Sequence, residues 1–424
     1  MKNIVYFIYK IKISRIVFAV IIFKKQRNIM NLESISFIID TLFAIFAMTL
    51  IIFMVPGFAM LEAGLVRTKN VTTVLTMNIL IYCVASLCFL LVGYHLAFGE
   101  LINANMSKYA SFLFQMAFVG KVVNIMSGGV SERAKIIPLI FFTIIMASFL
   151  YPIVVNITWG ANFLKDTFLE LSMYDLAGST IIHSTGGWAL LAAILIIGAR
   201  KGRYTKDGSI RVLPASNIPL VTLGAFLLWI GWFGFNGGSV GSITSIENAN
   251  LVALTIMNTN TAGLCGAITV AIIMQIMYKK LDITMILNGA LGGLVAVTAG
   301  ANLYNIYTPI IIGVIGGGLV VTGVFFFDKL KLDDPVGALS VHLLNGIWGT
   351  IAVAIFTSNN EGITFLGQVK GIIIIGIFAF VSSYAVLYAI NKIIPLRALH
   401  DEELQGLDVN QCGLEAYPEF KRAF

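Results

Sequence analysis

The chain has 424 residues, of which 58% are hydrophobic and 12% are charged, and its mean hydropathy is +0.91. These values exclude an ordinary soluble domain and indicate a protein that crosses a membrane several times. The net charge of +7 does not indicate a nucleic-acid-binding surface, because residues 2–29 contain seven basic and no acidic side chains and the rest of the chain contains 21 of each.

Residues 1–33 form an N-terminal segment of a different character. Its apolar run from Ile16 to Phe23 is too short to span a bilayer, and no small-residue cleavage site follows it as in a signal peptide. We therefore interpret residues 1–33 as an N-terminal extension or a leader, with Met30 as an alternative start.

Eleven apolar stretches of membrane length follow. They lie at residues 35–58, 71–98, 110–130, 136–159, 177–199, 217–238, 250–278, 284–301, 308–327, 336–357 and 368–394. Because lipid offers no hydrogen-bond partners to the backbone, these stretches must be helices. The sequence thus predicts an all-α polytopic membrane protein, with a transmembrane domain over residues 34–394 and a polar tail over residues 395–424.

Lys and Arg residues concentrate in the odd-numbered connections between these stretches. Those connections contain thirteen basic residues, whereas the even-numbered ones contain only Lys108, Lys165 and Lys370. This asymmetry predicts that the odd connections and the C-terminal tail lie in the cytoplasm and that the N-terminus lies outside.

The pattern D-x-x-G-x(4)-H occurs twice, from Asp175 to His183 and from Asp334 to His342. The two copies open the fifth and tenth stretches, which run in opposite directions through the membrane. This arrangement predicts a five-plus-five inverted repeat, in which a site lies near the midplane where the two halves meet. An ionisable residue inside a membrane segment is expensive, so each His is a functional candidate.

Each Asp precedes its helix and has two open interpretations. In one interpretation the carboxylate caps free backbone N–H groups at the positive end of the helix, and in the other it contacts the substrate. Eight residues of helix place Asp175 roughly 12 Å from His183, so the carboxylate does not touch what its own His touches.

For the two histidines three hypotheses compete. A metal site lacks further ligands, because no acidic or Cys side chain lies deep in the segments near either His, and the four cysteines have no metal-binding spacing. No cofactor is predicted. The other two hypotheses are a structural His–His hydrogen bond and a polar relay in an apolar pore that passes protons or binds a small solute.

Aromatic side chains and a hydroxyl collect at the outer ends of three stretches. They are Phe118, Trp159, Trp232, Phe235 and Ser239. Such residues form either an interfacial belt or, when they face inward, a cation–π site for a small cation.

Taken together, residues 34–424 resemble the ammonium transporter/Rh superfamily. The matching stretches are residues 61–70 (Leu-Glu-Ala-Gly-Leu-Val-Arg-Thr-Lys-Asn), Phe114-Gln115 with Phe118, 131–133 (Ser-Glu-Arg), 175–183, 232–239 (Trp-Phe-Gly-Phe-Asn-Gly-Gly-Ser), 333–342 and 346–350 (Gly-Ile-Trp-Gly-Thr). Two pieces of the tail, 406–408 and 413–418, are similar to the ammonium transporter branch.

The resemblance implies a homotrimer in the cell membrane that takes up ammonium through one pore per subunit. It assigns Phe118, Trp159 and Ser239 to an outer cation site, Phe114 and Phe235 to a gate, His183, His342 and Thr298 to the pore, and Asp175 and Asp334 to structure and transport. It also implies a PII-type signalling protein as a cytoplasmic partner. An ammonium sensor and an Rh-type neutral gas channel are the alternative functions.

Lys121 and Asn124 depart from the family pattern, which has small or hydroxylated residues at these positions. A Lys facing the pore would repel a cation, so we expect Lys121 to face another helix or to extend toward the membrane surface.

Overall fold

The computed structural model describes residues 2–100, 105–357 and 362–419. This part of the chain is helical and contains no β-strand, only two isolated backbone bridges. The predicted all-α membrane fold is therefore confirmed.

Within the described ranges, ten helices are long and apolar enough to cross a membrane. The helices are α1 (Lys2–Ile52, continued after Phe53 as Met54–Leu65), α2 (Thr68–Phe98), α3 (Lys108–Val130), α4 (Ile136–Asn156), α5 (Ser179–Ile197), α6 (Ile218–Gly238), α7 (Ile246–Tyr278), the shorter α8 (Ile283–Val297), α9 (Thr308–Lys329), α10 (Leu339–Phe356) and α11 (Phe365–Ile393). A short helix, α12 (His400–Gln405), lies in the tail.

The eighth predicted stretch differs from the structure. We expected a membrane-length helix over residues 284–301, whereas α8 ends at Val297 and is followed by turns. Its 15 residues correspond to roughly 22 Å, which is less than the thickness of a bilayer core. The count of eleven spans and the inverted repeat therefore stay predictions.

The N-terminal segment continues into the first membrane helix. Residues 2–33 of the predicted extension belong to α1, whose apolar membrane-length part is Leu32–Leu65. Met1 lies outside the described residues, as do residues 420–424 of the predicted tail.

Glycines allow α7, α8 and α9 to pack at backbone distance. A Cβ added to Gly289 would clash with Val270 and would lie 2.7 Å from the carbonyl oxygen of Gly266. A Cβ on Gly317 would lie 2.6 Å from the same oxygen. Since packing rather than hydrophobicity drives helix association in lipid, these glycines hold the second half of the chain together.

The odd-numbered connections meet on one face, through what we call the inner charge cluster (Arg67, Glu132, Arg200 and Asp333). Arg200 donates from Nε and Nη2 to the two carboxylate oxygens of Asp333, at 2.8 and 2.9 Å. Glu132 accepts from Nε of Arg67 at 2.6 Å and lies 3.5 Å from Arg200. We call this face the inner face and the opposite one the outer face.

The tail packs on the same inner face. The Asp408 carboxylate accepts from the backbone N–H groups of Thr72 and Thr73, at 3.0 and 2.8 Å. Arg397 pairs with Glu403 at 2.7 Å. These contacts place the tail on the side of the odd connections, as the charge asymmetry requires.

Asp333 stabilises this face in a pH-dependent way. Burial alone would raise the pKa of its carboxyl, but the hydrogen bond from Arg200 and the charges of Arg133 and Arg200 hold that pKa well below its usual range. Because the folded pKa is lowered, the stabilisation is fully present above the unfolded value of about 4 and is lost as the pH falls through the folded value.

We expect Asp333→Asn to lower the free energy of unfolding by about 3 kcal/mol at neutral pH, since it leaves the buried Arg200 without its main partner. Melting temperatures of the purified protein in detergent measure this effect. The difference from wild type should shrink below about pH 4. The exposed Asp401→Asn is the matched control. Equal melting temperatures for Asp333→Asn and the control would contradict the role of the pair.

Candidate functional site

The two aspartates of the repeated pattern cap the helices that follow them. Oδ1 of Asp175 accepts from the N–H groups of Gly178 and Ser179, and Oδ2 accepts from those of Thr180 and Ile181, all within 3.1 Å. Four of the N–H groups that lack helical partners are thereby satisfied.

Asp334 makes the same kind of cap at α10. It accepts from the N–H groups of Val336, Gly337 and Leu339 at 2.7–3.3 Å. Both carboxylates are therefore occupied by backbone. Of the two interpretations of these residues, capping is the one for which the structure supplies contacts.

Each cap is followed by a left-handed glycine and a π-helical turn that contains the His. Gly178 has φ +109° and Gly337 has φ +78°, a region that disfavours residues with a Cβ. The turns are Ser179–Ser184 and Leu339–Leu344, and the N–H of His183 donates to the carbonyl of Gly178 five residues earlier. Such turns are frequent at functional sites.

The two histidine rings are in contact. The Nδ1 atoms of His183 and His342 are 3.1 Å apart, and the ring planes are inclined by 21° at a centroid distance of 5.1 Å. The exposed fractions of the residues are 1% and 5%. When both rings are neutral, one Nδ1 carries the proton and the other accepts it, so the two rings are different tautomers.

Glycines let α5 and α10 approach closely enough for this contact. A Cβ on Gly187 would lie 2.7 Å from Cβ and 2.8 Å from Cα of Leu343, the neighbour of His342. A Cβ on Gly346 would clash with the carbonyl oxygen of Ser179. The two histidines meet because these positions carry no side chain.

An outer pocket of about 250 Å³ lies above the histidines. Its lining includes Phe114, Gln115, Phe118, Trp159, Leu176 and Ser239. The indole N–H of Trp159 donates to the carbonyl of Asp175 at 2.7 Å, and the Ser239 hydroxyl donates to the carbonyl of Phe235 at 2.8 Å. The three residues predicted for a cation site thus line one pocket, where the Ser239 oxygen keeps its acceptor capacity.

The floor of this pocket is an aromatic contact. Phe118 meets Phe235 edge to face at a centroid distance of 4.6 Å, and both side chains are almost fully buried. Phe114, which the resemblance assigns to the gate together with Phe235, meets Phe118 at a centroid distance of 4.9 Å. Because Phe114 and Phe118 lie one helical turn apart, their spacing in the sequence does not show which of the two rings meets Phe235.

Trp232 links the floor to the histidines. Its ring stacks on His183 at 5.1 Å, and its indole N–H donates to the hydroxyl of Thr298 at 2.9 Å. The predicted pore residue Thr298 therefore orients this Trp. The sequence marked Trp232 only as an aromatic near a helix end. Its position in the Trp-Phe-Gly-Phe motif, three residues before Phe235, is the signal that could have placed it on the same helix face.

Below the histidines lies a small inner cavity of about 20 Å³. Its walls include Phe58, Glu62, Asn124, Trp232 and His342. It shares Asn288 and Val336 with an inner vestibule of about 750 Å³, which also contains Asp334.

Glu62 is an acidic side chain that shares a cavity with His342, although the membrane segments of the two histidines contain none deep inside. It comes from α1, far away in sequence, so only the fold brings it to the cavity of His342. Even so, the described residues contain no group of three or more His, Cys, Asp or Glu side chains that could hold a metal ion.

Lys121 points to a neighbouring helix. Its Nζ lies 5.8 Å from the centre of the Tyr82 ring on α2, and the residue is 1% exposed. It is absent from the walls of the outer pocket and the inner cavity. This placement agrees with the expectation that Lys121 faces another helix.

Comparison with known proteins identifies a family. The sequence profile of the Ammonium Transporter Family matches residues 42–417. Ammonium transporter Amt2 of Archaeoglobus fulgidus is 32% identical over 419 residues, which cover 90% of this chain and 89% of the relative. The ammonium transporter of Bacillus subtilis is 31% identical over 414 residues, which cover 90% of this chain and 98% of the relative.

Solved structures agree in fold. One described as a Sensor Amt Protein has a TM-score of 0.83 at 33% identity, covering 90% of this chain and 100% of that chain. Mep2 of Candida albicans has a TM-score of 0.77 at 24% identity, covering 91% of each chain. At that identity the second likeness concerns the fold alone.

We expect Gly187→Ala to destabilise the protein by about 2 kcal/mol, because the new methyl group overpacks against Leu343 and separates α5 from α10. Thermal unfolding of the purified variant measures this cost. Gly318→Ala is the matched control, since nothing lies within 4 Å of a Cβ there. A Gly187→Ala protein as stable as the control would contradict the close approach of the two helices.

Proposed function

Because the chain belongs to the ammonium transporter family, we propose that it selects ammonium at the outer pocket, removes its proton and conducts ammonia past the two histidines. Membership of this family makes the protein a multi-pass membrane transporter and not an enzyme. The observation that carries the proposed mechanism is the buried contact of His183 with His342 beneath an aromatic floor.

Selection takes place at the outer pocket. Phe118 and Trp159 offer ring faces, which attract a small cation, and the Ser239 oxygen accepts one of its hydrogen bonds. Ammonium has four N–H donors and no acceptor, so this combination suits it. Phe114 is a further aromatic wall of the pocket.

The closed floor decides the form in which the substrate crosses. Stripping water from an intact ion costs roughly 20 kcal/mol in an idealised apolar medium. If the pKa of ammonium resembles that of a lysine side chain, roughly 10, removing its proton at neutral pH costs only about 4 kcal/mol. Ammonia is therefore the species that passes Phe118 and Phe235, which act together as the gate.

The histidines then serve two purposes. Neutral imidazoles hydrogen-bond ammonia, and their Nδ1 contact offers a path for the released proton. Trp232 and Thr298 hold the ring of His183 in place. When the proton follows this path, each turnover moves net charge. Asp175 and Asp334 act by fixing the two helices and not by binding substrate.

The membrane location, orientation, assembly and partner that we propose follow from the family and from the distribution of basic residues. We place the protein in the cytoplasmic membrane with its N-terminus outside and its inner face in the cytoplasm. A homotrimer is the proposed assembly. The ordered tail and the inner charge cluster form the face offered to a PII-type signalling protein.

An ammonium sensor is the second candidate function. The observation in its favour is the likeness to the Sensor Amt Protein. A sensor binds ammonium at the same outer pocket but does not restore growth of a transporter-deficient host at low ammonium. Restored growth supports transport, whereas retained binding without growth supports sensing.

The relay is tested by ammonium-evoked current in proteoliposomes. We expect His183→Ala to reduce the current about 100-fold, because it removes the positioned proton acceptor. His95→Ala, at the end of α2 and outside the cavities described above, is the control. Undiminished and equally selective current in His183→Ala would contradict the relay. Absence of current in the wild type, with ammonia still entering, would favour an Rh-type neutral gas channel.

We expect Trp159→Leu to raise the ammonium concentration for half-maximal current about fivefold, which corresponds to loss of about 1 kcal/mol of cation–π attraction. Trp188→Leu is the matched control, because Trp188 packs against Phe380 on α11 and lines neither the pocket nor the cavity. Equal half-saturation in the two variants would contradict the outer site.

A further inference from the structure

Glu62 is the ionisable residue of the Leu-Glu-Ala-Gly motif at residues 61–64, and it has no role in the proposed mechanism. Glu62 is 1% exposed. Its carboxylate accepts hydrogen bonds from Asn78 Nδ2 at 2.9 Å and from the Ser127 hydroxyl at 3.2 Å. Within the described ranges it has no ion-pair partner. Burying an ionised carboxylate without a cation is unfavourable, so this group is suited to gaining and losing a proton.

Glu62 lines the small cavity that adjoins both His342 and the inner vestibule. Glu62 and His342 line the same inner cavity, whose volume of about 20 Å³ holds one water-sized molecule. A Cβ on Gly128 would lie 3.1 Å from the carboxyl and 2.9 Å from Val336, so the glycine leaves room for both. Val336 also lines the vestibule. A molecule that leaves His342 therefore meets Glu62 before it reaches the vestibule.

A second acceptor in this cavity is unpaired. Asn124 donates from Nδ2 to Asn78 Oδ1 at 2.7 Å, while its own Oδ1 is buried without a hydrogen-bond partner among the described residues. Asn124 lines the cavity together with Glu62. A carboxylate and an unpaired amide oxygen are both acceptors, so together they suit a small molecule with several N–H or O–H donors.

We infer that Glu62 is the proton-exchange site at which ammonia is converted back to ammonium, an inference that rests on the proposed function. The proton released by ammonium passes from His183 to His342 and then to the Glu62 carboxylate, directly or through the molecule in the cavity. Ammonia that has crossed the gate takes this proton from the carboxyl. One O–H bond breaks, one N–H bond forms, and the carboxylate is restored.

The unpaired oxygen of Asn124 gives the inner site its selectivity for the product. Ammonium formed in the cavity donates to the carboxylate and to Asn124 Oδ1 at once, whereas ammonia has no charge to be attracted. Ammonium then leaves through the vestibule past the carboxylate of Asp334. Lys121, one turn from Asn124 on α3, has its Nζ over Tyr82 and does not line the cavity.

The test compares two measurements on proteoliposomes containing the full chain: ammonium-evoked current, and total entry of ammonia and ammonium followed with isotope-labelled substrate. We expect Glu62→Gln to lower the current about 100-fold and to leave total entry unchanged, because the amide keeps one acceptor oxygen for Asn78 and a similar volume but exchanges no proton. Glu62→Asp should restore part of the current. Glu247→Gln, an exposed carboxyl at the start of α7, is the control.

Three outcomes would overturn the inference. Wild-type current in Glu62→Gln, with the current of His183→Ala abolished, would reject the role of Glu62 and leave the proposed function intact. Equal loss of current and total entry in Glu62→Gln would make Glu62 a structural residue. Absence of current in the wild type would reject the relay and this inference with it.

A variant that keeps the carboxyl covers the case in which Glu62→Gln does not fold. Asn124→Leu removes the unpaired oxygen, together with the amide that donates to Asn78, and leaves the Glu62 carboxyl itself unchanged. We expect it to lower the current while total entry persists. Wild-type current in Asn124→Leu would contradict an inner site built from both residues.

Discussion

The arrangement of the site depends on one hydrogen bond, between Nδ1 of His183 and Nδ1 of His342, in the buried interior of the helical bundle. A buried imidazole needs a partner, and each ring supplies the partner of the other. The bond requires two helices from distant parts of the chain to approach at backbone distance. The small residues at Gly187 and Gly346 permit that approach, and the aspartate caps fix where each helix begins.

The caps show how a carboxylate shapes the site without entering the proposed path. Both carboxylate oxygens of Asp175 accept hydrogen bonds from four backbone N–H groups, and its backbone carbonyl accepts one from the indole N–H of Trp159. The same residue therefore sets the start of α5 and the outer wall of the pocket. A substitution there disturbs two features at once, so loss of transport in such a variant would say little about substrate contact.

Periodic and repeated features of the sequence predicted most of the fold and half of the site. Membrane-length stretches and the repeated D-x-x-G-x(4)-H pattern are local, so the helices and the meeting of the two histidines followed from them. Three features did not follow from the sequence. They are the short length of α8, the contact of Phe118 with Phe235, and the cavity that Glu62 shares with His342. These depend on how separate helices rotate against each other, which spacing along one helix does not contain.

The two sides of the histidine pair differ in a way that gives the proposed path a direction. The outer pocket of about 250 Å³ offers ring faces and a hydroxyl, whereas the inner cavity of about 20 Å³ offers a carboxyl and an unpaired amide oxygen. Ring faces attract a cation without accepting its proton, and a carboxyl exchanges protons. In the proposed path, an aromatic entrance selects by charge, and a carboxyl at the exit returns a proton to the ammonia that has passed the buried rings between them.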